Sequence, residues 1–232
     1  MTGTITHLAL ACGLFLISHF GLSLKCLRIP ISERIGYWGF KGLYGLVAFA
    51  AFAWMTMAYL DAPNVSLFAP PVAFQHGSLT LMLIAAFFVV TGYTTPNPAI
   101  MGMESAGLAS GPRGVLKITR HPVMWGVAFW GTAHVLASGH LAALIFFGGL
   151  TALALGGALH IDAKRRASHG EAWAAYEAET SFIPLGAILA GRIRVEKGEV
   201  RWWQSLLTVG FYVGMLAAHA EAGRDVFPMG FF

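Results

Sequence analysis

The sequence predicts an all-α fold: a polytopic membrane helix bundle of about six transmembrane helices with a short cytoplasmic interfacial helix. Three observations carry that expectation. Hydrophobic residues fill 56% of the 232 positions and charged residues 11%, about half the charged share of a soluble domain. The apolar residues are gathered into blocks of about twenty, the length at which a helix crosses the hydrocarbon core. Fourteen of the fifteen Lys and Arg residues fall in alternate connections between those blocks, the distribution expected of cytoplasmic loops.

The first span covers about residues 4–24, and Lys25, Arg28 and Arg34 follow it in a basic loop around Pro30. Its N-terminal side has no basic n-region or small-residue cleavage site, so it reads as a retained helix rather than a signal peptide. The second span, about 36–60, has Lys41 close enough to its start to snorkel to the interface. A polar, Pro-containing connection without Lys or Arg leads to the third span, about 77–94. Residues 95–120 are too rich in Gly and Pro for a crossing and read as a loop bearing Arg113, Lys117 and Arg120. The fourth span, about 122–138, and the fifth, about 140–160, are separated by a tight turn at Gly139 and form an antiparallel hairpin. Residues 161–201 are the largest polar block, and their first half has the periodicity of an amphipathic interfacial helix. The sixth span, about 202–220, opens on Trp202 and Trp203 at aromatic-belt depth.

Charge by side then sets the topology. Only Arg224 lies opposite the other cations, so both termini face away from the cytoplasm, in the cell inner (cytoplasmic) membrane. The net charge of +4 belongs to these loops and does not point to a nucleic-acid partner. Cys12 and Cys26, the two cysteines, have no CxxC spacing, which argues against a structural disulfide or zinc site.

Ionisable residues inside spans are costly and face a partner, a cavity or a cofactor. His19 lies inside the first span and His134 inside the fourth, while His7, His76, His121, His140, His160 and His219 lie at or near span ends and His169 in the polar block. Two readings stand for the intramembrane pair: a hydrogen bond to a neighbouring helix, or ligation of haem iron by neutral imidazole in a helix bundle. With no CxxCH motif, such a haem is non-covalent. The two histidines differ in depth by roughly 10 Å at the helical rise, which would tilt the macrocycle.

A second constellation is cytoplasmic. Arg120, His121 and Pro122 enter the fourth span, and His160, Asp162, Lys164, Arg165 and Arg166 leave the fifth. The hairpin brings these ends together. Such a convergence suits a carboxylate, a phosphate or a haem propionate; equally, it suits a positive-inside anchor with Pro in the first helical turn.

Three segments resemble the NnrU family, which includes the plant and algal 15-cis-zeta-carotene isomerase. They are His19-Phe-Gly-Leu-Ser-Leu-Lys25 with Glu33-Arg-Ile-Gly-Tyr37, then Gly114-Val-Leu-Lys-Ile-Thr-Arg-His-Pro122 with Trp130-Gly-Thr-Ala-His134, then His160-Ile-Asp-Ala-Lys-Arg-Arg166. The resemblance implies haem b with two axial histidines and a redox-dependent cis-to-trans isomerisation of a polyene in the membrane. It places the axial positions on His19 and His134; Arg120, His121 and His160 are expected, from the convergence of the hairpin ends, to shape a cytoplasmic polar pocket. Two positions depart from the isomerase pattern: Gly131 stands where the isomerase has Cys, and about Leu60 where the isomerase has His. Other family members are associated with denitrification.

Two further function classes stay open. Arg120-His-Pro122, Gly170-Glu-Ala-Trp-Ala-Ala-Tyr176 and Phe182-Ile-Pro184 are also similar to the isoprenylcysteine carboxyl methyltransferase group, a resemblance that implies S-adenosylmethionine contacts at His121, Asp162 and Tyr176. There the paired Glu of that group is replaced by Ile161-Asp162. The third class is a non-catalytic haem sensor or carrier. The expected partners are the lipid bilayer and a lipophilic small-molecule substrate.

Overall fold

The computed structural model describes residues 2–222, and every regular element among them is a helix. In chain order these are α1 (Ile5–Ser23), α2 (Lys25–Leu60), α3 (Val72–Thr94), α4 (Glu104–Ser110), α5 (Val115–Ile118), α6 (Pro122–Ser138), α7 (Leu141–Glu179), α8 (Gly186–Leu189) and α9 (Trp202–Glu221). Arg224 lies outside the described residues.

Among them α1, α2, α3 and α7 are long and apolar enough to cross a membrane. The expected fourth and sixth spans are helices at the expected places, α6 and α9, but of a different character. Helix α6 has 17 residues, about 25 Å at the helical rise, and α9 carries Gln204, Ser205, Thr208 and His219 along its 20 residues.

Two connections differ from the sequence expectation. The basic stretch after the first span is helical rather than a loop, and α2 runs through it with Pro30 inside and a bend at Gly36, φ 77°. Likewise α7 continues from the fifth span into the polar block and bends at Gly170, φ 47°. Positive φ is cheap only for glycine, so each bend sits on the residue that permits it. Just past the first bend, Lys41 Nζ lies 4.4 Å from the Tyr37 ring centre and 4.8 Å from that of Trp38. Both rings are exposed, as suits an aromatic anchor near the interface.

The chain divides into two compact units. One holds the chain up to Pro70 together with Ser138–Leu153. Here α1 lies against α2 through Phe15 on Phe52, 5.7 Å between ring centres, and through Trp54 Nε1, which donates to His7 Nε2 at 2.8 Å. Tyr59 stacks on Phe146 at 4.6 Å, and Cys12 Sγ donates to the Ile145 carbonyl. Gly149 lies so close to Cys12 Sγ that a side chain there would collide with it. The Gly139 turn is pinned by Leu67 N–H to its carbonyl at 2.8 Å and by Leu141 N–H to Val65 O at 2.9 Å.

The other unit holds Pro71–Ala137 and the chain from Ala154 on. Its α3 meets α6 through glycines: a Cβ on Gly126 would lie 2.6 Å from Val89 Cγ2 and 3.0 Å from the Ala85 carbonyl, and one on Gly92 would lie 2.8 Å from Val123 Cγ2. Small residues let helix backbones approach in a membrane, where apolar side chains gain little by leaving lipid. Gln204 Nε2 donates to Thr94 Oγ1 at 2.8 Å and Tyr212 Oη to the Leu79 carbonyl at 3.2 Å, tying α9 to α3. Phe88, Val115 and Leu116 form the buried centre beneath Trp125 and Phe129.

Gly126→Ala should therefore lower the thermal midpoint in detergent by an overpacking cost of about 1–3 kcal/mol. Gly157→Ala, where no atom lies within 4 Å, should leave the midpoint unchanged or raise it through helix propensity. Equal midpoints for Gly126→Ala and wild type would contradict the close α3–α6 contact.

Candidate functional site

The polar constellation around the start of α6 is a buried ion-pair network. Thr119 is extended, and its hydroxyl donates to the Phe182 carbonyl at 2.6 Å while accepting from His121 N–H at 3.3 Å. Arg120 N–H donates to the Ser181 carbonyl at 3.0 Å and Trp125 Nε1 to that of Phe182 at 2.8 Å. The 181–182 stretch is thus clamped to the entrance of α6, with Pro122 as the first helical residue, where its missing N–H costs nothing.

Asp162 of α7 receives the two side chains that follow Thr119. Arg120 donates to it through Nε at 3.1 Å and through Nη2 to Oδ2 at 2.6 Å, and His121 Nε2 lies 2.6 Å from Oδ1, which Arg120 Nε also reaches. Asp162 and His121 are each 1% exposed. The Arg120 guanidinium also reaches Glu177 at 3.2 Å, and Glu177 takes a bidentate pair from Arg166 at 2.7 and 2.8 Å. Arg166 and Glu177 stand on opposite sides of the Gly170 bend, and that bend is what turns the second arm of α7 back toward the first. An open cleft of ≈ 590 Å³ lies beside Arg120, lined further by Glu177, Ser181, Phe182 and Arg192. Trp173 and Tyr176 stack at 5.5 Å, and Trp173 Nε1, the Tyr176 hydroxyl and His121 Nδ1 are buried without a hydrogen-bond partner.

Two outer pairs brace the same end. Lys117 Nζ meets Glu199 at 2.6 Å, and Arg165 meets Glu104 at 2.9 Å. Burial pushes the Glu199 carboxyl up, but the Lys117 hydrogen bond and charge and the backbone N–H bonds outweigh it and hold the group below its ordinary value. Glu104 is lowered in the same way: burial opposes, while its backbone bonds and the Arg165 charge prevail.

The structure brings Arg120, His121 and Asp162 together and leaves His160 aside. His160 is two residues before Asp162, about 200° around the helix, and half-buried. His19 sits in the first unit, its ring 5.2 Å from Tyr44, whose hydroxyl donates to the His19 carbonyl, and its Nδ1 is buried without a hydrogen-bond partner. His134 sits in the second unit, with Nδ1 2.8 Å from the Trp130 carbonyl. A carbonyl only accepts, so Nδ1 holds the proton and Nε2 carries the lone pair. That is the tautomer and anchoring used by metal-ligating histidines. Glu177, Glu104 and Glu199 escaped the sequence reading because their partners lie across a bend or a long connection. The one available signal was their sign, carboxylates in the most basic blocks of the chain.

Asp162→Ala should cost about 3–5 kcal/mol, because it leaves Arg120 charged and buried. Arg166→Ala removes a side chain that is 56% exposed and should change the midpoint little. The acid limb follows from the lowered carboxyls. The contribution of Glu199 is fully present above its ordinary pKa of 4.5 and is lost as pH falls through the lower folded value. Glu199→Gln should then be less stable than wild type at neutral pH, with the gap closing in acid; a gap independent of pH would refute the assignment.

A family model described as NnrU protein matches residues 7–224. The chain is 30% identical over 122 residues, 53% of its length, to the chloroplastic 15-cis-zeta-carotene isomerase of Zea mays, and the match covers 33% of that relative. It is 30% identical over 117 residues, 50% of its length, to the chloroplastic 15-cis-zeta-carotene isomerase of Arabidopsis thaliana, covering 32% of it. The matched stretch is thus about a third of each relative. No solved structure matches the chain significantly.

Proposed function

The chain belongs to the NnrU family, and on that premise we propose that it is a haem-b-binding membrane protein that isomerises a lipophilic polyene from cis to trans in a redox-dependent way. The observation that carries this reading is His134: an imidazole in an apolar helix, its Nδ1 tied to the Trp130 carbonyl at 2.8 Å, in a chain with 30% identity to carotene isomerases. Bound haem b would supply a one-electron redox centre. His134 would hold the iron through Nε2, and His19 is the second ligand that the resemblance implies.

The chain's own residues supply the rest. Asp162, Arg120 and His121 fix the entrance of α6, and the helix carries that fixed register thirteen residues on from His121 to His134. The buried network is therefore a positioning device for the imidazole, worth more for geometry than for stability. The apolar faces of the spanning helices admit a lipid-soluble substrate from the bilayer and keep water from it. We further propose six crossings in the cell inner membrane, with the basic connections and the Asp162 network on the cytoplasmic side and both termini opposite.

A second reading draws on the buried, unpartnered Tyr176 hydroxyl and His121 Nδ1: S-adenosylmethionine-dependent methyl transfer at the cytoplasmic end.

Absorption spectra of the detergent-purified protein, oxidised and dithionite-reduced, separate these readings. The expected result is a low-spin haem b spectrum that His134→Ala abolishes or shifts, with turnover of a cis-polyene under reducing conditions. Haem without turnover would point to a sensor or carrier. A colourless protein that binds S-adenosylmethionine would replace the haem reading with the methyltransferase one.

A further inference from the structure

We infer that the arm of α2 from Lys25 to Ile35 is a binding site for the headgroups of anionic phospholipids. The arm has a direction of its own. Leu24 before it is extended, φ −64° and ψ 138°, and Gly36 after it has φ 77° and ψ 164°, so its axis continues neither α1 nor the rest of α2. It is about 16 Å long at the helical rise. Both neighbours are apolar: α1 contains no Lys, Arg, Asp or Glu, and the stretch from Tyr37 to Leu60 contains Lys41 alone. Helices α1 and α2 are each long and apolar enough to cross a membrane. A short helix tied at both ends to such segments is held at the membrane surface.

What surrounds the arm follows from its side chains. Leu27, Ile29 and Ile35 are each nearly half exposed, and at the helical period they point to three different sides. A folded partner covers one face of a helix, whereas lipid covers all of them. The charge is equally one-sided. Lys25, Arg28 and Arg34 on the arm, with Lys41 just beyond it, stand against a single carboxylate, Glu33. Ion pairs among the described residues engage Lys117, Arg120, Arg165 and Arg166, and none engages these four cations. The Lys41 ammonium lies over the rings of Tyr37 and Trp38, which fixes it without neutralising it. Lys25 and Arg28, three residues apart, can bring their donors to one phosphate, and Arg34 leaves from the other side. The missing counter-charge is an anion at headgroup depth, the depth that exposed Tyr and Trp mark. A zwitterionic headgroup brings its own ammonium to its phosphate, so a lipid of net negative charge is the complement.

The test is native mass spectrometry of the full-length, detergent-purified protein titrated with phosphatidylglycerol and, separately, with phosphatidylcholine. Wild type should retain phosphatidylglycerol in preference. At about fivefold per cation, the combined Lys25→Gln, Arg28→Gln and Arg34→Gln variant should weaken that retention by about a hundredfold. Arg34→Gln alone, at an exposed position, should weaken it about fivefold and gives the readout independently of the triple variant's stability. The combined Arg113→Gln, Arg194→Gln and Lys197→Gln variant removes the same charge from exposed positions of the other unit and should match wild type. Equal loss in the two triple variants would reveal a diffuse attraction and overturn the site, as would equal retention of the two lipids. Displacement of the lipid by an equal concentration of inorganic phosphate would make a free anion the ligand and overturn the lipid assignment. An acidic protein that co-purifies with wild type and is lost from the arm variants would overturn it too.

Discussion

Hydrocarbon offers no hydrogen-bond partner, and that single constraint shapes the apolar part of this protein. The backbone answers it by being helical throughout its long elements. The polar side chains within the helices answer it by turning back on their own backbone. Ser78 donates to the Phe74 carbonyl at 2.7 Å, Thr94 to Val90 at 2.7 Å, Thr132 to Ala128 at 2.8 Å and Thr208 to Gln204 at 2.8 Å, all four residues back. His134 and His219 follow the same rule. A hydroxyl is used up by this bond. An imidazole is not, because its second nitrogen is left with a lone pair of fixed direction.

The other end of α6 obeys different physics. There the ionised groups keep their charge by pairing: Asp162 takes donors from Arg120 and His121 and is sealed to 1% exposure. A buried pair of this kind adds little net stability over a well-packed apolar one. What it adds is uniqueness, since Arg120 and His121 share the Asp162 carboxylate and a shift of α6 by one residue would break both contacts. The Thr119, Arg120 and Trp125 bonds to residues 181–182 reinforce the same register. The polar end and the His134 imidazole are thus two ends of one helix, α6.

Glycine has two distinct jobs in this architecture. At Gly36 and Gly170 it accepts positive φ and bends a helix where the chain changes environment. At Gly92 and Gly126 it is absent volume, and the neighbouring helix fills it. The first job is local and the second is not, although the residue looks identical in the sequence.

That difference marks how far the sequence reaches. Period and length placed the ends of α1, α6 and α9 to within a residue or two and found α3 except for its first five residues, because a long apolar run satisfies its backbone most simply as a helix. The same reasoning set the cationic connections apart and singled out Arg120, His121, Asp162 and His134. It cut α2 and α7 short, taking Pro30 and the polar block as ends, because whether a bent helix continues depends on what its next turn packs against. Only the tertiary structure decided that Glu177 pairs with Arg166 across the Gly170 bend, and that the ring facing His134 at 6.0 Å is His219. Those are contacts between residues far apart along the chain, set by the angles at bends and the approach of helices. No periodicity in one strand of sequence encodes them.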